Sequence, residues 1–286
     1  MNVVLGENSY GKAETRLLRV RRHADRDEIR DLNVSISLTG DFEAVHLRGD
    51  NANILPTDTQ KNTVYGFAKE APIGEIEEFA LRLARHFVET RRPVHRACVS
   101  IEEYPWQPIE VEGAAHPHSF VRASPERRLT TATCEPGKES VVSGLADLVV
   151  LKSRGSEFRG FARDRYTTLE DTAERILASA VTAHWRFSSL PAPWADSFRE
   201  ARQALLTAFA RHHSLSLQQT LFQMATEVLE ARPELDQVRL EMPNKHHFLV
   251  DLTPFGMTNN FEVFYAADRP YGLIEATVRR PPPEQS

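Results

Sequence analysis

Four small groups of residues in this chain carry types and spacings that could do chemistry. The first lies in the polar, hydroxyl-rich stretch N-I-L-P-T-D-T-Q-K-N-T-V-Y-G-F-A-K, residues 53–69. There, Pro56-Thr57-Asp58 closes an extended run and opens a helix. A Thr or Asp at such a start caps free backbone amides. The partial positive charge and unpaired N–H groups of a helix start also suit an anion. The second group is Lys12, behind a glycine at the head of the first strand. The third is Phe158, Arg175, Leu217 and Gln218, the last two at another helix start. The fourth is Asn244, Lys245 and His246, in a loop between strands. Each also has a purely structural reading: a solvated strand lysine, an ordinary helix cap, a core Phe158, an Arg175 paired with Glu170 or Glu174, a first-turn Gln218. Taken singly, each residue is accounted for by that role.

Other chemistries find less support. The pairs His116/His118, His212/His213 and His246/His247 lack cysteine or carboxylate partners at a recognised ligand spacing, and no H-E-x-x-H occurs, so no metal site is expected. No G-x-G-x-x-G follows a strand, no P-loop exists, and no G-x-S-x-G elbow is present.

These groups must be positioned by strands and helices. Tyr10-Gly11-Lys12 leads into L-L-R-V-R-R, residues 17–22, an apolar/basic strand, and 26–31 reads as a charged turn. Residues 31–47 read as two strands joined at Gly40-Asp41. A short helix to Ala68 and a long amphipathic one from Pro72-Gly74 to Arg92-Pro93 follow, the latter with Ile76, Phe79, Leu83 and Phe87 on one face. Strands are expected at 94–103 and at 120–133, the latter interrupted by Ser124-Pro125. Cys134-Glu135-Pro136-Gly137 marks a boundary, giving halves 1–136 and 137–286. The second half repeats the pattern: a strand at 141–151, a helix opened by a Thr167-Thr168-Asp171 capping box, an extended run at 181–187, helices from Pro191 and Ser216, then strands around Val238, Phe248 and Val263. The tail P-P-P-E-Q-S is expected to be disordered. Two similar α+β halves follow, each an antiparallel sheet with helices on one face.

The chain of 286 residues has 41% hydrophobic and 26% charged residues, a soluble globular composition with ample core. No apolar run approaches bilayer length and no signal peptide is evident. Two cysteines make no disulfide framework, so a cytoplasmic setting is expected. A net charge of -5 argues against general nucleic-acid binding.

Five motifs in order then make the chain similar to the urate oxidase (uricase) family. They are Y-G-K at Tyr10, T-D-x-x-K-N-T from Thr57 to Thr63, F-x-G-F-x-R-D-x-Y-T-T-L from Phe158 to Leu169, L-Q-Q-T from Leu217, and P-N-K-H-x-F from Pro243. The similarity runs over essentially the whole chain. Thr15, where the family often has an apolar residue, and Pro56 are departures that remove no functional group.

The resemblance implies two tandem T-fold (tunnelling-fold) halves and a homotetramer whose sheets close into a β-barrel tunnel. Active sites would lie at subunit interfaces, with Lys12, Thr57 and Asp58 from one chain and Phe158, Arg175, Leu217, Gln218 and Asn244 from its neighbour. The implied reaction oxidises urate with O2 to 5-hydroxyisourate and hydrogen peroxide, with no metal, flavin or other cofactor. Within it Lys12 and Thr57 form a proton relay, and Arg175 and Gln218 clamp the urate edge with help from the Leu217 amide. Phe158 is the stacking face and Asn244 holds oxygen, then water or peroxide. Asp58 adds a helix-start amide, and His246 either tunes Lys12 and passes protons or supports the site structurally. No S-K-L address closes the chain, which fits a bacterial-type cytoplasmic enzyme. A non-catalytic purine-binding T-fold protein is the alternative. A metal-dependent T-fold enzyme acting on a pterin or purine would need a Cys/His ligand set.

Overall fold

The computed structural model describes residues 3–122, 124–267 and 269–281. The chain divides into two units. One comprises the chain up to Gly144 with Arg186–Ala195, the other Leu145–Trp185 and the chain from Asp196 onward.

In the first unit the chain runs β1 (Tyr10–Arg22), β2 (Asp27–Gly40), α1 (Glu43–Arg48), α2 (Thr57–Glu70), α3 (Ile76–Thr90) and β3 (Val94–Glu103). It continues through β4 (Gln107–Val111), β5 (Ala114–Val121) and β6 (Arg127–Glu135) into the start of β7 (Lys138–Lys152). Its strand order is β1-β2-β3-β6-β7, with β4 and β5 forming a separate hairpin. The pairs β1/β2, β2/β3 and β3/β6 are antiparallel. Alternation is the cause: Leu32, Val34, Ile36 and Leu38 of β2 and Ala97, Val99 and Ile101 of β3 are buried, while Leu18 and Val20 of β1 are exposed. Helix α3 packs on β3 and β6, and α2 on β1. The apolar stripe of α3 is fully inside, and burying each of Phe79 and Phe87 stabilises the unit by about 1.5–3 kcal/mol. One carboxylate goes in with it. Glu77 is fully buried, accepting from Arg128 Nη2 at 2.8 Å and Ser143 Oγ at 2.7 Å, while Arg128 also meets Glu75 at 2.7 Å.

In the second unit the rest of β7 is followed by β8 (Leu177–Phe187), α4 (Trp194–Arg211), α5 (Leu217–Ala231) and β9 (Leu235–Asn244). The chain then forms β10 (His247–Leu249), a 3-10 turn at Thr253–Phe255, β11 (Phe264–Ala266) and β12 (Gly272–Arg279). The order is β7-β8-β9-β12, and α5 packs on β9 and β12. Strands β10 and β11 pair separately. The fold is thus α+β with antiparallel sheet and packed helices, as its alternating and helical periodicities predict.

Several local expectations are corrected. Residues 42–47 are not a strand: α1 forms there, Phe42 is buried edge-on to Tyr10, and Gly49 at φ 70 ends the helix by donating to Val45 O at 3.1 Å. The charged segment 26–31 is mostly strand, since β2 begins at Asp27 after a turn closed by His23 N to Arg26 O. The Thr167-Thr168 capping box opens no helix. Asp164 accepts from the Tyr166 amide and the Thr167 hydroxyl, and Phe158 and Thr172 exchange backbone bonds, so local polar groups satisfy the backbone without one. Ile176-Leu177 feeds into β8 instead. Residues 120–133 belong to two strands, β5 and β6, and β4 and β12 are strands beyond those expected. Apart from Pro281, the P-P-P-E-Q-S tail lies outside the described residues.

Candidate functional site

The nine residues to which the family resemblance gives roles fall into the two units. Lys12, Thr57 and Asp58 lie in the first; Phe158, Arg175, Leu217, Gln218, Asn244 and His246 lie in the second.

In the first unit the Y-G-K motif sets strand against helix. Tyr10 packs on Phe42, and its hydroxyl accepts from the Leu55 amide at 2.9 Å, just before α2. Gly11 lies against β2 so closely that a Cβ there meets Ile36 O at 1.8 Å. Lys12 follows, half-buried, opposite Ile36, and the register then slips through a bulge to Thr15 with Glu14 at φ 56. The α2 start differs from expectation. Pro56 occupies the cap position, no side chain caps the helix, and Thr57 is the first helical residue. The first backbone bond is Gln60 N to Pro56 O at 3.1 Å, which leaves the Thr57, Asp58 and Thr59 amides free of backbone acceptors. Asp58 turns to its own helix. It meets Lys61 Nζ at 2.5 Å and Asn62 Nδ2 at 3.1 Å, which explains the T-D-x-x-K-N spacing. Its carboxyl is held below the ordinary carboxylate range, first by the Lys61 hydrogen bond and charge and, more weakly, by Lys12. Lys12 therefore stands within electrostatic reach of the α2 start.

In the second unit the centre is Arg175. It is half-buried, forms no ion pair among the described residues, and burial alone lowers its affinity for a proton. Its Nε donates to Ser156 Oγ at 3.3 Å and its backbone N–H to Ser156 O at 2.8 Å. Neither Glu170 nor Glu174 takes the pairing role considered from sequence: Glu170 meets Arg163 at 3.6 Å, and Glu174 accepts from the Gly155 amide at 2.7 Å. The guanidinium lies over the Phe158 ring, 5.2 Å from its centroid. Phe161 stacks on the same ring at 4.9 Å and 11°, fixing its plane. Phe158 is half-buried and thus not a closed core residue.

A parallel bridge links this cluster to α5. Glu157 N donates to Ser214 O at 2.8 Å, and Ser214 N to Gly155 O at 2.9 Å. Two residues on, Ser216 caps α5, its Oγ accepting from Gln219 N at 3.1 Å. Leu217, buried, and Gln218, exposed, are then the first two helical residues, where amide N–H groups lack intrahelical acceptors. Asn244 ends β9 opposite Gly272, and Lys245 N donates to Ala178 O at 2.9 Å, three residues beyond Arg175. That bond sets the Asn244-Lys245-His246 loop beside the strand following Arg175. His246 stacks near Phe248, and its imidazole is pushed below the ordinary histidine range by burial, then by Arg175 and His247.

The second unit therefore brings a planar cation, an aromatic face, a helix start and an imidazole of lowered proton affinity into one neighbourhood. This set suits a flat anion with hydrogen-bonding edges. Ser156 and Tyr10 were not singled out. Tyr10 stood in a quoted motif, but Ser156 gave no signal, because its partners are distant in sequence. Among the described residues no group of three or more His, Cys, Asp or Glu could hold a metal ion. A cleft of about 500 Å³ between residues 151–155 and 209–213 contains none of the predicted residues.

A uricase family profile matches residues 8–133 and 141–275. The chain is 50% identical over 278 residues to a uricase of Arthrobacter globiformis, covering 97% of this chain and 90% of that one. It is 36% identical over 287 residues to a uricase of Danio rerio, covering 98% and 96%. The crystal structure of the uricase from Arthrobacter globiformis superposes with a TM-score of 0.93 at 49% identity, covering 100% of this chain and 97% of that one.

Proposed function

The chain belongs to the uricase family and is a urate oxidase, an oxidoreductase that uses O2, and we propose that it carries out this oxidation by cofactor-free chemistry at the residues described above. The balanced reaction is urate + O2 + H2O to 5-hydroxyisourate + H2O2. The observation that carries the reading is Arg175: a guanidinium with no carboxylate partner among the described residues, over an aromatic ring, awaiting a planar anion.

In this reading Arg175 offers parallel N–H groups to an anionic N–C=O edge of urate, a contact a lysine does not make. Gln218 and the Leu217 amide meet the adjoining edge, and Phe158 supplies the stacking face. The free amides of Thr57 and Asp58 hold the opposite edge. Clamping both sides selects against isosteres lacking one hydrogen-bonding group. Lys12 and Thr57 move the proton that leaves urate, producing an electron-rich dianion that transfers electrons to O2. Asn244 holds O2, and then the water whose oxygen becomes the 5-hydroxyl. His246, whose proton affinity is lowered by burial and by Arg175, passes a proton along this path. The assembly is a homotetramer of two T-fold halves, residues 1–136 and 137–286. The Lys12 group of one chain completes the Arg175 group of another at the interface, and the location is cytoplasmic.

Purified protein in metal-free buffer with a chelator should consume urate and O2 and release peroxide. Turnover that disappears on chelation and returns with added metal refutes the cofactor-free chemistry, and urate binding without oxygen uptake refutes turnover altogether. Lys12→Met should lower kcat with little change in KM, and Arg175→Ala should mainly raise KM. An unchanged rate in Lys12→Met removes the relay assignment.

A further inference from the structure

Ser156 is fully buried, yet nothing in the reaction requires a hydroxyl there. Its position in the second unit is a node. Its carbonyl accepts the Arg175 backbone N–H at 2.8 Å and its Oγ accepts Arg175 Nε at 3.3 Å, so one residue grips both ends of Arg175. The peptides flanking Ser156 form the two bonds of the parallel bridge to Ser214. Ser214 is itself fully buried, accepting from Thr220 Oγ1 at 2.7 Å and donating to Ser216 O at 3.1 Å. Ser216 caps α5 immediately before Leu217 and Gln218. Hydrogen bonds and the short backbone links between them therefore connect the Arg175 guanidinium to the start of α5.

The choice of Nε matters. A guanidinium has two edges that can grip a planar anion with parallel N–H groups: the Nε side and the terminal pair of Nη atoms. An acceptor on Nε occupies the first and leaves the second. An alanine at 156 leaves the guanidinium free to rotate and present either edge. No carboxylate holds Arg175 among the described residues, so this hydroxyl is its side-chain hydrogen-bond partner.

We infer that Ser156 is a positioning residue for the substrate: it selects the terminal edge of Arg175 for the anion and, through Ser214, sets the spacing between that edge and the α5 start. The inference rests on the reading of Arg175 as the substrate clamp.

The test is a double-mutant cycle on urate oxidation, following kcat and KM. Ser156→Ala should raise KM about tenfold, the order expected for losing one hydrogen bond to a charged group, with kcat nearly unchanged. In an Arg175→Lys background, which has no Nε, Ser156→Ala should add nothing, because its effect runs through the guanidinium. Ser156→Cys, close in size but a weak acceptor, should also raise KM, and it carries the test if the alanine variant does not fold. Equal losses from Ser156→Ala in both backgrounds mark a merely structural role and overturn the inference. So does an unchanged KM in Ser156→Ala alongside a raised KM in Arg175→Lys. If Arg175→Lys itself leaves KM unchanged, the clamp reading fails instead, and the inference falls with it.

Discussion

Replacing Gly11 by alanine tests whether strand spacing holds Lys12 in place. The added Cβ meets Ile36 O at 1.8 Å, against 3.4 Å for ordinary van der Waals contact, a shortfall of 1.6 Å. The obstructing atom is backbone, followed by Ile36 C at 2.7 Å and Ser37 Cα at 2.9 Å, so no rotamer relieves it. Strand β2 has to retreat, although Ile36 and Leu38 beside it are core residues. The pairs Tyr10–Leu38, Gly11–Ser37 and Lys12–Ile36 then open. Two lost ladder bonds at about 1 kcal/mol each, with about 1–2 kcal/mol of overpacking strain, destabilise the first unit by about 3–4 kcal/mol. Tyr10 also leaves the Leu55 amide, so Lys12 and the α2 start separate. On the proposed relay role of Lys12, a displacement on the order of 1 Å lowers kcat by about 100-fold. Urea unfolding and steady-state urate oxidation measure the two effects. Gly66→Ala is the matched control: nothing lies within 4 Å of its Cβ, and in mid-helix it should stabilise by up to about 1 kcal/mol. A Gly11→Ala protein with the stability and kcat of the parent refutes the reasoning.

Two other outcomes follow. Glu77→Ala should cost about 3 kcal/mol in urea unfolding, since it strips a partner from half-buried Arg128 and leaves Ser143 Oγ without its acceptor; a cost below about 1 kcal/mol shows that Arg128's other partners, Glu75 among them, suffice. His184 is held below the ordinary histidine range by burial first, so between its folded value and the unfolded value near about 6.5 the unfolded chain binds more protons. Its contribution is complete above the unfolded value and is lost as pH falls through that window. The stability difference between parent and His184→Phe should therefore shift against the parent on going from about pH 7.5 to pH 5, and a pH-independent difference refutes the assignment.

What was legible depended on how local its cause was. Strands such as β2 and β3 announce themselves because alternate residues face the core, and α3 because its phenylalanines recur on one face. The segment 42–47 misled because its apolar residues serve either period, and the decision came from Gly49 and from Phe42 meeting Tyr10. Thr167-Thr168-Asp171 spelled a capping box, but Asp164 and the Phe158–Thr172 bridge had already claimed that backbone. In the site, Lys12 and Phe158 were readable as motif residues, whereas Arg175 lies outside the five motifs and had its role only from the family resemblance. Thr57 was expected to cap α2, whereas Pro56 stands in the cap position. Ser156 was invisible because its role is made by Arg175 and Ser214, both far along the chain.

Arg175 has one more implication. A cation partly removed from water, with no counter-charge among the described residues, raises the free energy of the resting fold. Ligand occupancy and folding are then one linked equilibrium, in which each anion that enters the site also deepens the native basin. Sequences drifting toward greater resting stability would neutralise or pair this arginine, and on the proposed clamp role those same changes would abolish recognition. The tension between endurance and activity is concentrated at a single side chain, where selection for the reaction opposes selection for the fold.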